Sequence, residues 1–320
     1  MFVVGCPRSG TTLLYHMLLS AGNFAVYRTE SQVFNILEPR FGDLSNARNR
    51  RALLSAWYES PLFEKTGLRQ EDVDGPVMND CRNGGDFLRI YMEAMARQQR
   101  VERWGDCTPE HVLYLKRIKQ TISDALIIHV MRDGRDVSLS LEKQGWIRPF
   151  KWHRDDGVAV AALYWDWIVR RGRAQGRKLG GDYLEVQYEN LVQDPVRTLG
   201  RVSDFVAQPL DYAQIQRVGI GSVSRPNTSF TADLKEQEFH PVARWKSGMS
   251  ENQRAVVDTL VGETLQELGY PAKNETIPPA DRKSLQRMRS LYHSYFSTKF
   301  ILKSKTALGR TLVTRDLSWA

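Results

Sequence analysis

The sequence predicts an α/β fold, a three-layer sandwich in which helices cover both faces of a central, mostly parallel sheet. Residues 2–4 are an apolar, strand-like run, and from Thr11 onward apolar residues recur at helical spacing. Residues 125–131 form a near-continuous apolar run of the kind found in buried parallel strands. Residues 183–186 supply a third strand. Strands that alternate with helical segments favour a parallel sheet.

The loop between the first strand and the first helix, residues 5–10, has the features of a phosphate-binding loop, so we expect a P-loop-type sandwich. It contains Arg8 and Ser9, and Thr11 and Thr12 open the helix. Backbone N–H groups and the helix dipole attract anions at such a helix start. In the nucleotide-hydrolase pattern a lysine stands where this chain has Thr11. The loop should therefore hold a phosphate without that lysine; an ordinary glycine-containing turn is the alternative.

The composition is that of a globular protein with a basic surface. The chain has 320 residues, 42% of them hydrophobic and 26% charged, enough for one large domain or two small ones. Its net charge of +8 favours an anionic partner in general: a nucleotide, an acidic acceptor or a membrane surface. No apolar run approaches the roughly 20 residues of a membrane span. Because a strand begins at residue 2, we also expect no signal peptide.

The cysteines are few and widely spaced. Cys6, Cys81 and Cys107 form no C-x-x-C pair, which argues against a disulfide framework or a zinc site. This usage fits a reducing compartment, so we expect a cytoplasmic protein.

A candidate general base follows the second extended segment. Residues 24–27 are a short extended stretch, and Glu30 comes directly after it. In a doubly wound sheet the carboxyl ends of the strands form the ligand crevice, so Glu30 should lie near the phosphate-binding loop. A solvated or capping glutamate is the alternative.

Residues 40–100 are interpreted as an insertion of helices and loops over the sheet edge, suited to be a lid on the acceptor side. Residues 101–109 are predicted as a short strand that runs into a helix start. Asp106 and His111 lie at that strand end and are candidates for chemistry, although either could be a capping or packing residue. Within the buried strand, His129 is predicted to be a core histidine.

The buried strand leads into a second candidate anion site. Arg132 leaves the strand, a turn follows, and Ser140 lies two helical turns further on. A guanidinium group and a hydroxyl that converge at a strand end suit a phosphate monoester. A charged, well-capped helix start is the alternative.

Taken together, these segments resemble the sulfotransferases that use 3′-phosphoadenosine-5′-phosphosulfate (PAPS), and more narrowly the branch with tyrosylprotein, carbohydrate and bacterial sulfotransferases. The resemblance rests on Pro-Arg-Ser-Gly-Thr-Thr at residues 7–12, on Glu30, and on Arg-Asp-Gly-Arg-Asp-Val-x-x-Ser at residues 132–140. It extends to about residue 270. We therefore expect a sulfotransferase domain over residues 1–272 and a basic, helical C-terminal extension over residues 273–320.

The resemblance implies roles for individual residues. The 5′-phosphosulfate would be held by Arg8, Ser9, Gly10, Thr11 and Thr12. The 3′-phosphate would be held by Arg132 and Ser140, and Glu30 matches the catalytic base of the family. Residues 187–195 resemble a family block whose tyrosine, here Tyr188, contacts the cofactor. A long loop predicted over residues 219–244 would close on the adenosine, with Ser222 or Ser224 and with Arg244.

One segment departs from the family pattern. Trp-Gly-Asp-Cys-Thr-Pro-Glu-His at residues 104–111 matches a block usually written Trp-Gly-Glu-Lys-Thr-Pro-x-His. Cys107 thus replaces a lysine that in relatives helps to neutralise the leaving oxygen, and Arg8 is the candidate to act alone. A loop over residues 144–157, rich in aromatic and basic side chains, either lines the acceptor pocket or packs in the ordinary way.

The predicted reaction is in-line sulfuryl transfer from PAPS to a hydroxyl or amine of a small-molecule, natural-product or carbohydrate acceptor. No metal and no nucleic-acid partner are expected. The C-terminal extension is expected to pack on the domain or, in a homodimer, on a second subunit; a membrane-surface helix is a further alternative. The rival functions are a P-loop kinase using ATP and magnesium and a non-catalytic module that binds an acidic polymer.

Overall fold

The protein is built around a small parallel sheet. The computed structural model describes residues 1–225, 241–272, 278–306 and 309. The strands β1 (Phe2–Gly5), β2 (Ile127–Met131) and β3 (Tyr183–Gln187) lie side by side in the order β1–β2–β3. Both pairs are parallel. The expected α/β architecture with a parallel sheet is confirmed, although the sheet is small and most of the surrounding structure is helical.

Two segments expected as strands are reduced to single bridges beside β1. Phe2 bridges Asp106, and Phe24 bridges Arg103, both in parallel orientation. The chain turns directly after Asp106, because that side chain bonds Thr108 and His111. The ladder therefore ends after one residue pair. The bridges still place these segments beyond β1, so their ends lie at the same edge of the sheet.

The described residues form fifteen α-helices. Their bounds are α1 Thr11–Ser20, α2 Glu38–Phe41, α3 Ala47–Tyr58, α4 Pro61–Glu64, α5 Asp74–Asp80, α6 Gly84–Gln99, α7 Leu115–Thr121, α8 Gly134–Gln144, α9 Gly157–Gly176, α10 Tyr188–Gln193, α11 Pro195–Val206, α12 Tyr212–Val218, α13 Trp245–Gly248, α14 Glu251–Glu267 and α15 Pro279–Lys305. A π-helical turn covers Val33–Leu37, and 3-10 turns cover Pro109–Tyr114 and Gly221–Val223, among others. None of the helices described is long and apolar enough to cross a membrane.

The sheet separates two apolar layers. Phe2 and Val4 of β1 face one layer and Val3 faces the other, as the two-residue period of a strand requires. The first layer contains apolar residues of α6, α9 and α14, and the second contains those of α1 and α11. His129 in β2 is fully buried, and its Nδ1 lies 2.6 Å from the Tyr183 hydroxyl. Burial lowers its pKa to about 4, so it is a neutral core histidine, as predicted.

The C-terminal helix α15 packs on the first layer. Tyr292 and Phe296 are buried in the same apolar cluster as α9. The Trp167 indole of α9 donates to Ser297 Oγ at 2.9 Å. The remaining parts of the predicted extension, residues 273–277 and most of 307–320, lie outside the described residues.

Candidate active site

The first element of the site is the loop between β1 and α1. Gly10 precedes α1 with a φ of 94°, and a Cβ at this position would lie 2.2 Å from Cδ2 of Tyr188. Only glycine fits, and its lack of a side chain lets the Tyr188 ring close over the loop. Ser9 is completely buried, and within the described part of the chain its hydroxyl has no hydrogen-bond partner. Unpaired buried hydroxyls are costly, so this one points to a ligand.

The second element of the site is the turn from β2 into α8, and its residues contact the β1–α1 loop directly. Arg8 Nε donates to Ser140 Oγ at 2.9 Å. Arg132 Nη1 donates to the Arg8 carbonyl at 3.2 Å. Burial, and then the nearby Arg132, lower the pKa of Arg8. The loop after β1 and the turn and helix after β2 are therefore joined by hydrogen bonds, although Arg8 and Ser140 are far apart in the sequence.

Arg132 is held between an aromatic ring and a carboxylate. Its guanidinium carbon lies 4.5 Å from the Tyr188 ring centroid, and its Nη2 lies 3.7 Å from Asp136. The buried Arg132 Nε donates to none of the residues that the structure describes. Arg244 is the third cation: burial, and then Arg132, lower its pKa. The backbone N–H of Trp245 donates to Asp136 Oδ1 at 2.8 Å, which fixes the segment of Arg244 beside this turn.

The structure separates the two candidate serines of the long loop. Ser222 is buried, with its Oγ 2.6 Å from Nδ1 of His16 on α1. The Ser222 hydroxyl also donates to the Thr12 carbonyl at 3.4 Å. Ser224 is exposed and donates to the Gly221 carbonyl at 3.3 Å. Most of this predicted loop, residues 226–240, lies outside the described residues.

Glu30 is half-buried. The following residue, Ser31, donates its backbone N–H to Thr108 Oγ1 at 3.0 Å, which anchors the segment. Gln32 donates to Glu30 Oε2. Burial, with Glu110 and then Asp106 nearby, raises the pKa of Glu30 to about 7. A carboxylate with such a pKa is suited to accept a proton near neutral pH.

Asp106 and His111 form a buried pair that supports the Glu30 segment. His111 Nδ1 lies 2.8 Å from Asp106 Oδ2, and its Nε2 accepts the Phe34 N–H at 3.2 Å. The proton therefore sits on Nδ1, and both ring nitrogens are engaged. Burial disfavours the ionised Asp106, but the hydrogen bonds from His111 and Thr108 hold its pKa below the usual value. Both side chains are fully buried, which suits a positioning role.

Cys107 lies between Thr11 and Glu30. Its thiol is buried, and burial, followed by the charge of Glu30, raises its pKa well above the usual value. The same thiol is within hydrogen-bonding range of Thr11. A protonated thiol carries no charge, so Cys107 cannot supply the cation that the family lysine supplies.

Sequence reasoning missed several residues of the site. Glu110, Gln32 and Asn35 lie around Glu30. No sequence motif identifies Gln32 and Asn35, because these amides act through contacts between separate turns. Glu110 follows a strand end by only a few residues, and that position was a usable signal.

The aromatic loop reaches the site through one residue. The indole of Trp146, which is 55% exposed, lies 5.7 Å from the Arg8 guanidinium carbon. Trp152 instead stacks on Phe150 at a centroid distance of 5.0 Å. The loop thus combines a site contact with ordinary packing.

Comparison with known proteins identifies the class. Residues 1–212 match the family model described as "Sulfotransferase family". This match covers well over half of the chain and includes both loops and Glu30. The chain belongs to the sulfotransferase family, and the family assignment drawn from the motifs is confirmed.

Individual relatives sharpen that assignment. The chain is 24% identical over 277 residues to protein-tyrosine sulfotransferase A of Caenorhabditis elegans, covering 84% of this chain and 67% of that protein. It is 32% identical over 154 residues to carbohydrate sulfotransferase 2 of Mus musculus, covering 47% of this chain but only 28% of that protein. The solved sulfotransferase domain of the Synechococcus PCC 7002 olefin synthase superposes with a TM-score of 0.54 at 20% identity, covering 85% of this chain and 94% of that one. The superposition supports the fold.

Proposed function

We propose that this sulfotransferase moves a sulfuryl group from PAPS to a hydroxyl or amine of a small-molecule, natural-product or carbohydrate acceptor, with Glu30 as general base. The observation that carries the proposal is the junction of two turns: Arg8 bonds Ser140, and Arg132 bonds the Arg8 carbonyl. The junction offers donors for two anionic groups at neighbouring strand ends.

The residues present fit a doubly phosphorylated nucleotide. Two buried donors, Ser9 Oγ and Arg132 Nε, lack partners within the described residues. Phosphate oxygens are strong acceptors and would satisfy both. We assign the 5′-phosphosulfate to Arg8, Ser9, Gly10, Thr11 and Thr12. We assign the 3′-phosphate to Arg132 and Ser140, and the nucleoside to Tyr188, Arg244 and the loop with Ser222 and Ser224.

PAPS supplies the sulfuryl group, and the protein supplies positioning and charge. As in phosphoryl transfer, the group passes in line between two oxygens, so the chain has mainly to orient the reactants and stabilise charge. Arg8 and the first N–H groups of α1 would hold the leaving phosphate and stabilise its charge. Loss of one such donor costs about 3 kcal/mol in the transition state. Because Cys107 is neutral, Arg8 carries the cationic part of this role.

Glu30 would take the acceptor proton. Its Oε2 is occupied by Gln32, while Oε1 makes no hydrogen bond to any residue in the described ranges. Oε1 is thus available for the acceptor hydroxyl. Trp146, exposed beside Arg8, offers a flat apolar surface for the acceptor.

The experiment combines binding with turnover. Adenosine 3′,5′-bisphosphate should raise the melting temperature, and ATP with magnesium should not. A screen with ³⁵S-labelled PAPS across phenols, natural products, sugars, lipids and peptides should then give a labelled product. Stabilisation by ATP–magnesium alone would support the kinase alternative, and binding without any transfer would support the binding module.

A further inference from the structure

A chain of hydrogen bonds joins Glu110 to the proposed base Glu30 through two amide side chains. Gln32 donates its amide N–H to Glu30 Oε2, and its oxygen accepts from the Asn35 amide. Asn35 Nδ2 also donates to Glu110 Oε2 at 3.4 Å. The other oxygen of Glu110 accepts from the Tyr164 hydroxyl at 3.1 Å. These side chains join the π-helical turn after Glu30 to the 3-10 turn of Glu110, in addition to the hydrogen bond from the Phe34 backbone to His111.

The two carboxylates fix the direction of every donor in this chain. An ionised carboxylate offers only acceptors, so the amide nitrogens of Gln32 and Asn35 must face Glu30 and Glu110, respectively. The Gln32 oxygen then accepts the second amide hydrogen of Asn35. An amide at position 110 could itself donate, and this order would be lost.

Glu110 also brings a negative charge that no cation pairs with inside the described ranges. Its hydrogen-bond donors, Tyr164 and Asn35, are neutral. The groups facing Glu30 are Glu110, Asp106, the Cys107 thiol and the Gln32 amide. After burial, Glu110 contributes most to the raised pKa of Glu30.

We propose that Glu110 is a positioning residue, which aims the Gln32 amide at Glu30 through Asn35 and keeps a second negative charge beside that carboxylate. It rests on the proposed function only in the role of Glu30 as base. In this role Glu110 orients Glu30 through Asn35 and Gln32, and its negative charge raises the pKa of that carboxyl.

The test follows the titration of Glu30 itself and needs no acceptor. Protein labelled with ¹³C at the glutamate side-chain carboxyl is titrated by NMR, and the resonance that disappears in Glu30→Gln is assigned to Glu30. Glu110→Gln removes a negative charge and should lower the Glu30 midpoint by about one unit, a tenfold change in proton affinity. Glu110→Asp keeps the charge and should restore the midpoint most of the way.

Asn35→Ala should move the midpoint in the opposite direction. It releases Gln32, and the Gln32 hydrogen bond lowers the pKa of Glu30, so its loss raises the midpoint. The exposed Glu102→Gln is the control and should change nothing. A shift of all the site variants toward an ordinary glutamate would show mere loosening of the fold and would overturn the proposal.

An unchanged midpoint in Glu110→Gln would also overturn it. Failure of the proposed function has a separate signature. Glu30→Gln would then still transfer sulfuryl groups, whatever the titrations show.

Discussion

The site divides into a cationic half and an acidic half. They differ in charge and in how many of their buried polar atoms have hydrogen-bond partners. The cationic half contains Arg8, Arg132 and Arg244; burial, and then the charge of Arg132, lower the pKa of Arg8 and of Arg244. It also retains buried donors without partners in the described part of the chain. The acidic half contains Glu30, Asp106 and Glu110, linked to amides, hydroxyls and His111.

This difference indicates which half is suited to bind an anionic ligand. Ser9 Oγ and Arg132 Nε, which lack partners among the described residues, would be satisfied by an anion, whereas the acidic half is largely satisfied by its own hydrogen bonds. We therefore expect substitutions in the cationic half to change binding of the donor. Substitutions in the acidic half should change turnover.

The largest effect is expected for Glu30→Gln. The amide cannot accept the acceptor proton, and general bases typically contribute about 10²- to 10⁴-fold in rate, so kcat should fall by that factor. Calorimetry with adenosine 3′,5′-bisphosphate should show an affinity within about twofold of wild type, because Glu30 lies outside the cationic half. Glu102→Gln is the matched exposed control. Unchanged turnover would reassign the base, with Asp106 and His111 next to test.

Arg132→Ala should weaken binding of the bisphosphate. Hydrogen bonds to charged groups are worth about 1.5–3 kcal/mol, so the Kd should rise roughly 10- to 150-fold. The exposed Arg201→Ala on α11 controls for loss of one positive charge. A change confined to kcat would contradict a role for Arg132 in holding the 3′-phosphate.

The pH profile tests the acidic half alone. Since Glu30 must be unprotonated to act and its pKa is raised to about 7, kcat/KM should fall on the acid side of neutrality. The fall should approach tenfold per pH unit well below that pKa. Circular dichroism over the same range should show an unchanged fold. If kcat/KM stayed constant down to the ordinary pKa of glutamate, Glu30 with its raised pKa would be excluded as the general base.

The smallest expected effect separates the two serines. Ser222→Ala removes a buried hydroxyl bonded to His16 and should lower the free energy of unfolding by about 1 kcal/mol. Ser224→Ala removes an exposed hydroxyl and should change stability by less than about 0.5 kcal/mol. Chemical denaturation measures both changes. Equal losses of unfolding free energy in Ser222→Ala and Ser224→Ala would contradict the different burial of the two serines.

The cationic half was largely readable from the sequence. A strand, a glycine loop and a helix start are contiguous, so Arg8 and Arg132 could be placed at strand ends from local pattern. The acidic half was less readable. Glu30 and Asp106 were found by their position after extended segments, but those segments became single bridges, because a strand also needs a partner ladder.

By itself, the sequence determined the α/β class, the family and the positions of the two turns that we propose bind anions, because each depends on residues that are close together in the chain. Only the tertiary structure decided that Cys107 lies between Thr11 and Glu30 and that Ser222 rather than Ser224 is buried under α1. It alone joined Glu110 to Glu30. These relations are contacts between separate segments, and their geometry exists only once the apolar layers on both faces of the sheet have packed.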